Sequence, residues 1–314
     1  MTRALVTGAA GFVGSHLCEA LAARGDDVVG FDCFTPYYDR AMKDANAAIV
    51  RAAGVEVIDS DLRNADVRAV LDGVDVVYHQ AGQPGVRLSW SDGFPEYVEH
   101  NVLVTQRLLE AARNAGVARF VYASSSSVYG NQPRYPTRES DVPAPHSPYG
   151  VTKLAGEHLC SLYAANWGLA TVSLRYFTVF GPRQRPDMAI HRLCEAALGR
   201  ATFPRYGDGS AVREFTYVSD IVAGNLAAAA ADVPPGTYVN LAGGSEIVLR
   251  DLIALVEELA GRSIAVEQHD AMPGDSKRNG GAIDRATELL GWVPEVPLGD
   301  GVAAQLAWHA ELRR

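Results

Sequence analysis

Cysteine is scarce in this chain: four residues in 314, Cys18, Cys33, Cys160 and Cys194, none of them in Cys-x-x-Cys spacing. That scatter argues against a disulfide-stapled fold or a paired-cysteine zinc site, and suits reduced thiols in the cytosol. Positive charge is also short. Lys and Arg number 28 against 37 Asp and Glu, a net charge of −9, whereas nucleic acid and anionic membranes demand a basic surface. No uninterrupted apolar run reaches the roughly 18 residues of a membrane span. There is no internal repeat and no low-complexity tract; Ala227 to Ala231 is an alanine run of helical type. Met1 to Val13 places Arg3 ahead of small apolar residues, as a signal peptide would. Glycines interrupt it, however, and a nucleotide-binding turn accounts for it better, so no targeting segment is expected. What is left is a composition of 48% hydrophobic and 21% charged residues, that of an ordinary soluble globular protein. The length allows one large α/β unit plus a smaller lobe.

Short β-branched runs alternate with helical patterns through the first 180 residues. Leu5 to Thr7, Val28 to Phe31, Val55 to Ile58, Val74 to Tyr78, Phe120 to Tyr122 and Thr171 to Leu174 read as strands. Between them Ser15 to Arg24, Ala65 to Leu71, Tyr97 to Ala115 and Tyr149 to Trp167 have helical length and period. This alternation predicts an α/β fold, a Rossmann-type doubly wound parallel sheet. After Gly181 the rhythm changes. Met188 to Gly199, Val218 to Ala231, Leu249 to Ala260 and Gly301 to His309 read as helices, with strands near Glu214 to Tyr217 and Tyr238 to Leu241. The expected division is 1–180 for a nucleotide-binding domain and 181–314 mainly for a smaller α/β substrate lobe, with some later segments returning to the first. Gly207 to Gly209, Pro234 to Gly236 and Pro273-Gly274 read as loops.

Gly8, Gly11 and Gly14 follow a strand and open a helix, which allows a tight turn and close approach to a pyrophosphate at a helix N-terminus. Asp32 ends the second strand, 24 residues beyond Gly8. A carboxylate there accepts from ribose hydroxyls and repels a 2′-phosphate, favouring NAD over NADP. Asp61-Leu62 after the third strand would meet the adenine or cap a helix, and His79 would be either buried structure or a cofactor contact. Tyr149 and Lys153 lie four residues apart, one helical turn, so they share a face. A phenol ionises near pH 10 and is a poor neutral-pH base. Lowering that by roughly three units takes about 4 kcal/mol, within reach of one close cation plus a cofactor charge.

Jointly these residues resemble the extended short-chain dehydrogenase/reductase family, in its nucleotide-sugar branch, over nearly the whole chain. Thr7-Gly8-Ala9-Ala10-Gly11-Phe12-Val13-Gly14, Tyr149-x-x-x-Lys153, the serine run before Val128-Tyr129-Gly130, and Arg213 to Val218 fall in family order. Gln83 to Ser89, Arg175 to Gly181 and Arg185 to Ala189 look like UDP-glucuronate 4-epimerases in particular. Pro84 and the loop Lys277 to Gly281 depart from the pattern; Gly280 stands where a tyrosine is often found near the nucleotide. The resemblance implies cofactor contacts at Gly8, Gly11, Phe12, Val13, Asp32, Lys43, Asp61, Leu62, Gln80, Ala81, Gln83, Asn101, Tyr149, Lys153 and Tyr176. It implies substrate contacts at Arg87, Ser126, Ser127, Thr178, Arg185, Arg192, Tyr206, Arg213 and Arg278, with Tyr206 stacking near the uracil or packing in its loop.

The chemistry implied begins with Tyr149 taking the sugar 4-hydroxyl proton while the C4 hydride passes to NAD. Lys153 bonds the nicotinamide ribose, and Ser125 shares the proton path. Dehydratases of this branch carry an Asp-Glu pair in the serine run, and UDP-glucuronate decarboxylases a glutamate just before the Val-Tyr pair. Here Ser126 and Ser127 stand instead, so the keto sugar is expected to rotate and be reduced on its other face: 4-epimerisation. Thr178 replaces the asparagine of ordinary UDP-galactose 4-epimerases. With Ser126 and Ser127 it offers hydroxyl donors to a C6 carboxylate without neutralising it, which favours UDP-glucuronate as substrate. A neutral-hexose epimerase, a decarboxylase and a sensing module without turnover are the alternatives. A cytosolic homodimer, paired through Tyr97 to Ala115 and Tyr149 to Trp167, is expected, with no metal.

Overall fold

The computed structural model describes residues 1–270 and 278–312. In chain order the strands are β1 (Arg3–Thr7), β2 (Asp27–Asp32), β3 (Glu56–Asp59), β4 (Val76–His79), β5 (Arg119–Ser125), β6 (Thr171–Tyr176), β7 (Thr178–Phe180), β8 (Phe203–Tyr206), β9 (Val212–Tyr217), β10 (Thr237–Leu241), β11 (Glu246–Val248) and β12 (Val266–His269). The helices are α1 (Phe12–Ala23), α2 (Arg40–Ala52), α3 (Val67–Val70), α4 (Phe94–Tyr97), α5 (Val104–Ala115), α6 (Pro148–Trp167), α7 (Ala189–Ala197), α8 (Val218–Ala230), α9 (Leu249–Ala260), α10 (Asp284–Leu290) and α11 (Leu298–Glu311). Among the described residues no helix is long and apolar enough to cross a membrane.

Seven strands form one parallel sheet in the order β10-β6-β5-β4-β1-β2-β3. Its strands are apolar on both faces because helices cover both: Leu5, Val77, Phe120, Val121, Val172 and Leu174 are fully buried. Leu17, Val50, Val121, Leu174 and Ile221 pack in one core, and Leu5, Val77, Leu108, Phe120 and Cys160 in the other. The register pairs Thr7 with both Phe31 and His79, and Ser125 with Tyr176. The carboxyl ends of β1, β4, β5 and β6 therefore share one edge. Strand order reverses between β1 and β4, where a doubly wound sheet opens its crevice.

The remaining strands make two small sheets, β11-β9-β7 and β12-β8. Phe180, Leu193, Phe215, Leu252, Val256 and Val302 form their core with α7, α9 and α11. Strand β10 belongs to the large sheet, pairing with β6 at Val239 and Leu174, and Trp292 and Ala286 pack in a large-sheet core.

The six early strands stand where expected. Helix α2 is additional, capped by Asp39, whose side chain accepts from Ala41 N at 2.9 Å. Tyr97 to Ala115 is continuous but not uniform, since a π-helical turn at Val98–Leu103 separates α4 from α5. Tyr206 ends a strand rather than lying in a loop. The Pro273-Gly274 loop and Lys277 lie outside the described residues.

Candidate active site

A cavity of about 1400 Å³ runs along the carboxyl edge of the sheet and under the smaller lobe. At one end Gly8 adopts φ +74°, and a side chain there would come within 2.9 Å of Ala81 N. At Gly14 it would lie 2.0 Å from Gly8 O. The turn thus admits only glycine, and α1 opens just after its N-cap Gly11 with no side chain capping its first turn. Uncapped N–H groups at a helix start, facing a cavity, suit a diphosphate. Phe12 and Val13 line the same wall.

Asp32 sits beside this turn, accepting from Ala10 N at 3.0 Å and Phe34 N at 2.8 Å. Burial pushes its carboxyl up, and those two bonds and Lys43 oppose the shift. Lys43 lines the cavity while donating to Thr35 O at 2.7 Å. Asp61 and Leu62 face the same end. Cys33, Asp61 and His100 place ligand-capable atoms within 4.8 Å of one another. Both Asp61 oxygens, however, already accept from Arg63, from its N at 2.8 Å and its Nε at 2.9 Å.

Gln80, Ala81 and Gln83 follow β4 along the cavity wall. Tyr176 donates to Gln80 Oε1 at 3.0 Å, and the Asn225 amide closes the triangle, donating to Tyr176 at 2.7 Å. Asn101 is off the wall, behind it, holding Gln83 N and O at 2.7 and 3.0 Å. His79 is fully buried between Thr7 Oγ1 at 2.8 Å and Thr105 Oγ1 at 3.0 Å. Burial lowers its pKa to about 3, so it is a neutral structural histidine.

Helix α6 carries the Tyr–Lys pair into the centre. Ser147 caps it, accepting from Gly150 N at 3.1 Å, and Pro148 opens it. Tyr149 bonds Ser125 at the end of β5, and Lys153 Nζ donates to Ala123 O at 2.9 Å. The electrostatics differ from the sequence expectation. Burial raises the Tyr149 pKa, and what opposes it is the Ser125 bond and the Arg185 charge. Lys153 is itself lowered to about 8 by burial, against the charges of Cys160 and Glu157. Desolvation therefore dominates both groups, and one of the three Lys153 donors is engaged by Ala123 O.

Ser126, Ser127 and Thr178 line the cavity near this centre, as do Arg185, Arg192 and Arg213. Arg185 is locked to Asp187 by two 3.0 Å bonds, and Tyr37 donates to the same carboxylate at 3.2 Å. The acidic residues on the wall are Asp32, Asp61, Asp187 and Asp208; none belongs to the serine run. Tyr206 lines the cavity, carries Arg87 over its ring at 4.1 Å and stacks on His269 at 5.2 Å. Arg278 is off the wall, paired with Glu246. A side chain at Gly280 would come within 2.1 Å of that Glu246 carboxylate and would require it to shift.

Sequence reasoning missed Tyr37, Asp187, Asn225 and Asn279. Asp187 follows Arg185 by two residues, Tyr37 follows Asp32 by five, and Asn279 lies in the loop Lys277 to Gly281, whereas Asn225 comes from α8.

The parallel sheet, the glycine turn and the serine–tyrosine–lysine centre define an extended short-chain dehydrogenase/reductase. The chain belongs to the NAD dependent epimerase/dehydratase family, whose profile matches residues 4–242. It is 40% identical over 98% of both chains to a Bacillus subtilis (strain 168) protein named as an uncharacterized UDP-glucose epimerase, YtcB. It is 32% identical, over 98% of this chain and 96% of the relative, to a probable UDP-glucuronate 4-epimerase of Rhizobium meliloti (strain 1021). The crystal structure of UDP-glucuronic acid 4-epimerase from Bacillus cereus, in complex with UDP-glucuronic acid and NAD, superposes with TM-score 0.95 at 41% identity, over 99% of this chain and all of that one.

Proposed function

We propose that this protein is an NAD-dependent UDP-glucuronate 4-epimerase, interconverting UDP-glucuronate and UDP-galacturonate through a 4-keto sugar. The observation that carries the reading is the buried Ser125–Tyr149 contact beside Lys153, ringed by hydroxyls and arginines with no carboxylate in the serine run. The glycine turn, Asp32, Lys43, Gln80, Tyr176 and Lys153 would hold NAD, which accepts a hydride from C4 and returns it. Tyr149 removes the 4-hydroxyl proton and later gives it back, with Ser125 bonding the same oxygen. Arg192 and Arg213 suit the diphosphate. Ser126, Ser127 and Thr178 hold the C6 carboxylate as a charged acceptor. Asp187 is tied to Arg185 and Tyr37 and is not free to strip a C5 proton. The nucleotide half is residues 1–180 and the sugar-nucleotide half mainly 181–314.

The four free cysteines support a cytosolic setting. Leu103, Leu162 and Trp167, each about half exposed on the α5 and α6 side, support a homodimer.

The test is to incubate the protein separately with UDP-glucuronate and UDP-glucose and identify products by NMR. Formation of UDP-galacturonate is expected. Exclusive turnover of UDP-glucose would favour the second reading, a neutral-hexose epimerase, which the name of the Bacillus subtilis relative supports. Denaturing the protein and chromatographing the released nucleotide should give NAD; NADP as the main species would refute the role of Asp32.

A further inference from the structure

We infer that Asn279 is a positioning residue that makes Ser126 a hydrogen-bond donor to the substrate carboxylate, and so contributes to selection of a uronic acid over a hexose. The inference rests on the glucuronate reading above and deepens it.

Asn279 sits on a short strap whose backbone is fixed on both sides. Its N–H donates to Val212 O at 3.1 Å, and Gly281 N donates to Glu214 Oε2 at 2.6 Å. Gly280 O accepts from Thr137 N at 2.8 Å and from Thr137 Oγ1 at 3.0 Å. A side chain at Gly281 would strike the Phe177 ring at 2.4 Å, so the strap lies directly against the residue preceding Thr178. From this strap Asn279 lines the cavity and its Nδ2 donates to Ser126 Oγ at 3.2 Å. The strap therefore touches both stretches that bear on the sugar C6 group, the serine run and the 177–178 pair.

A serine hydroxyl has one proton and can both donate and accept. With its oxygen taken by the Asn279 N–H, the Ser126 proton is directed elsewhere, and the cavity is where an acceptor would be bound. The polarity then runs Asn279 N–H to Ser126 oxygen, then Ser126 O–H to carboxylate. Each link strengthens the next, since a hydroxyl that accepts is a better donor. Asn279 Oδ1 is buried and has no partner among the described residues. A substrate with a neutral C6 hydroxymethyl gains little from this chain, because that group can donate as readily as accept.

The experiment is steady-state kinetics with UDP-glucuronate and UDP-glucose on wild type, Asn279→Ala, Asn279→Asp, Ser126→Ala and the Asn279→Ala/Ser126→Ala pair, with bound NAD quantified as the check on folding. Asn279→Ala and Ser126→Ala should each lower kcat/KM on UDP-glucuronate about 10-fold. The double variant should be no worse than Ser126→Ala alone, the mark of a residue acting through its partner. Asn279→Asp keeps the shape, loses the donor and sets a carboxylate behind the serine, so it should fall further, about 100-fold. The preference for UDP-glucuronate over UDP-glucose should drop in every variant. Multiplying losses in the double variant or equal losses on both sugars would overturn the inference. A wild type that fails to epimerise UDP-glucuronate would sink the functional reading and this inference together. A wild type that epimerises it while the substitutions act independently would sink this inference alone.

Discussion

Lys153 should reduce stability while serving the reaction, and replacing it with methionine should separate the two effects. The side chain is 6% exposed, and burial lowers its pKa from 10.5 to about 8. That depression corresponds to about 3 kcal/mol against holding the charge in the fold at neutral pH. Below pH 8 both folded and unfolded chains carry the proton, so the penalty is complete. Between about 8 and 10.5 the folded chain has lost its proton while the unfolded chain keeps it, and stability rises with pH; above 10.5 the penalty is gone. Lys153→Met fits the same tunnel without a charge but strands Ala123 O, which loses its 2.9 Å donor at a cost of about 1 kcal/mol. The net gain is about 2 kcal/mol at pH 7, or a rise of about 3 °C in Tm for a chain of this size. The assay is thermal unfolding at pH 7 and pH 10 on both proteins stripped of bound nucleotide. The variant should melt higher at pH 7, the gap should shrink at pH 10, and turnover should collapse. A variant that melts lower at pH 7, or a gap that is the same at both pH values, would refute burial of the charge as the cause.

Tyr149→Phe should keep the fold and bound NAD while turnover drops at least about 100-fold, the scale of a positioned acid–base group; near-normal turnover would remove Tyr149 from the mechanism. Thr178→Val keeps its shape in β7 and deletes a donor to a charged acceptor, worth about 1.5–3 kcal/mol. Efficiency on UDP-glucuronate should therefore fall about 10- to 100-fold, with a trace of pentose product by NMR and little change on UDP-glucose; equal loss on both would count against a carboxylate at that spot. Burial lowers the pKa of His16 and His309 to about 4 and of His79 to about 3, from 6.5. Above pH 6.5 both chain states are neutral at these sites, and below it the unfolded chain takes up protons that the fold refuses. The urea midpoint should accordingly fall steadily from pH 6.5 toward 4, and a flat midpoint across that range would show these histidines to be accessible in the fold.

The large sheet was legible because its strands are buried on both faces. Val28 to Phe31, Phe120 to Tyr122 and Thr171 to Leu174 need no alternation to read as strands when helices cover both sides. Helix α2 was not legible, since half of its buried positions are Lys43 and Asn46 beside Ala47 and Val50, which blurs the apolar stripe. Strands β7, β8, β11 and β12 span three or four residues each, too few for a period of two to show. The site divides in the same way. Gly8, Asp32, Tyr149 and Lys153 belong to local motifs whose spacing carries their geometry. Asn279 is held by contacts of its strap with β9 and Thr137 that no local spacing announces, and Arg278 is drawn off the cavity by Glu246, 32 residues earlier. The burial of Tyr149 and Lys153 was not legible either, because spacing along a helix says which groups are near, not how far both are from water.

The return of β10 to the edge of β6 ties the order of synthesis to the order of folding. Sixty residues separate Tyr176 from Thr237, and the whole of α7 and α8 and the strands β7 to β9 lie within that loop. While a ribosome is still adding those residues, β6 is an open edge, with a row of unpaired amides and carbonyls beside Val172 and Leu174. Such an edge is a template for another nascent chain. The seventh strand is thus added late, and until it arrives the buried strand β6 rather than β10 is the edge of the sheet.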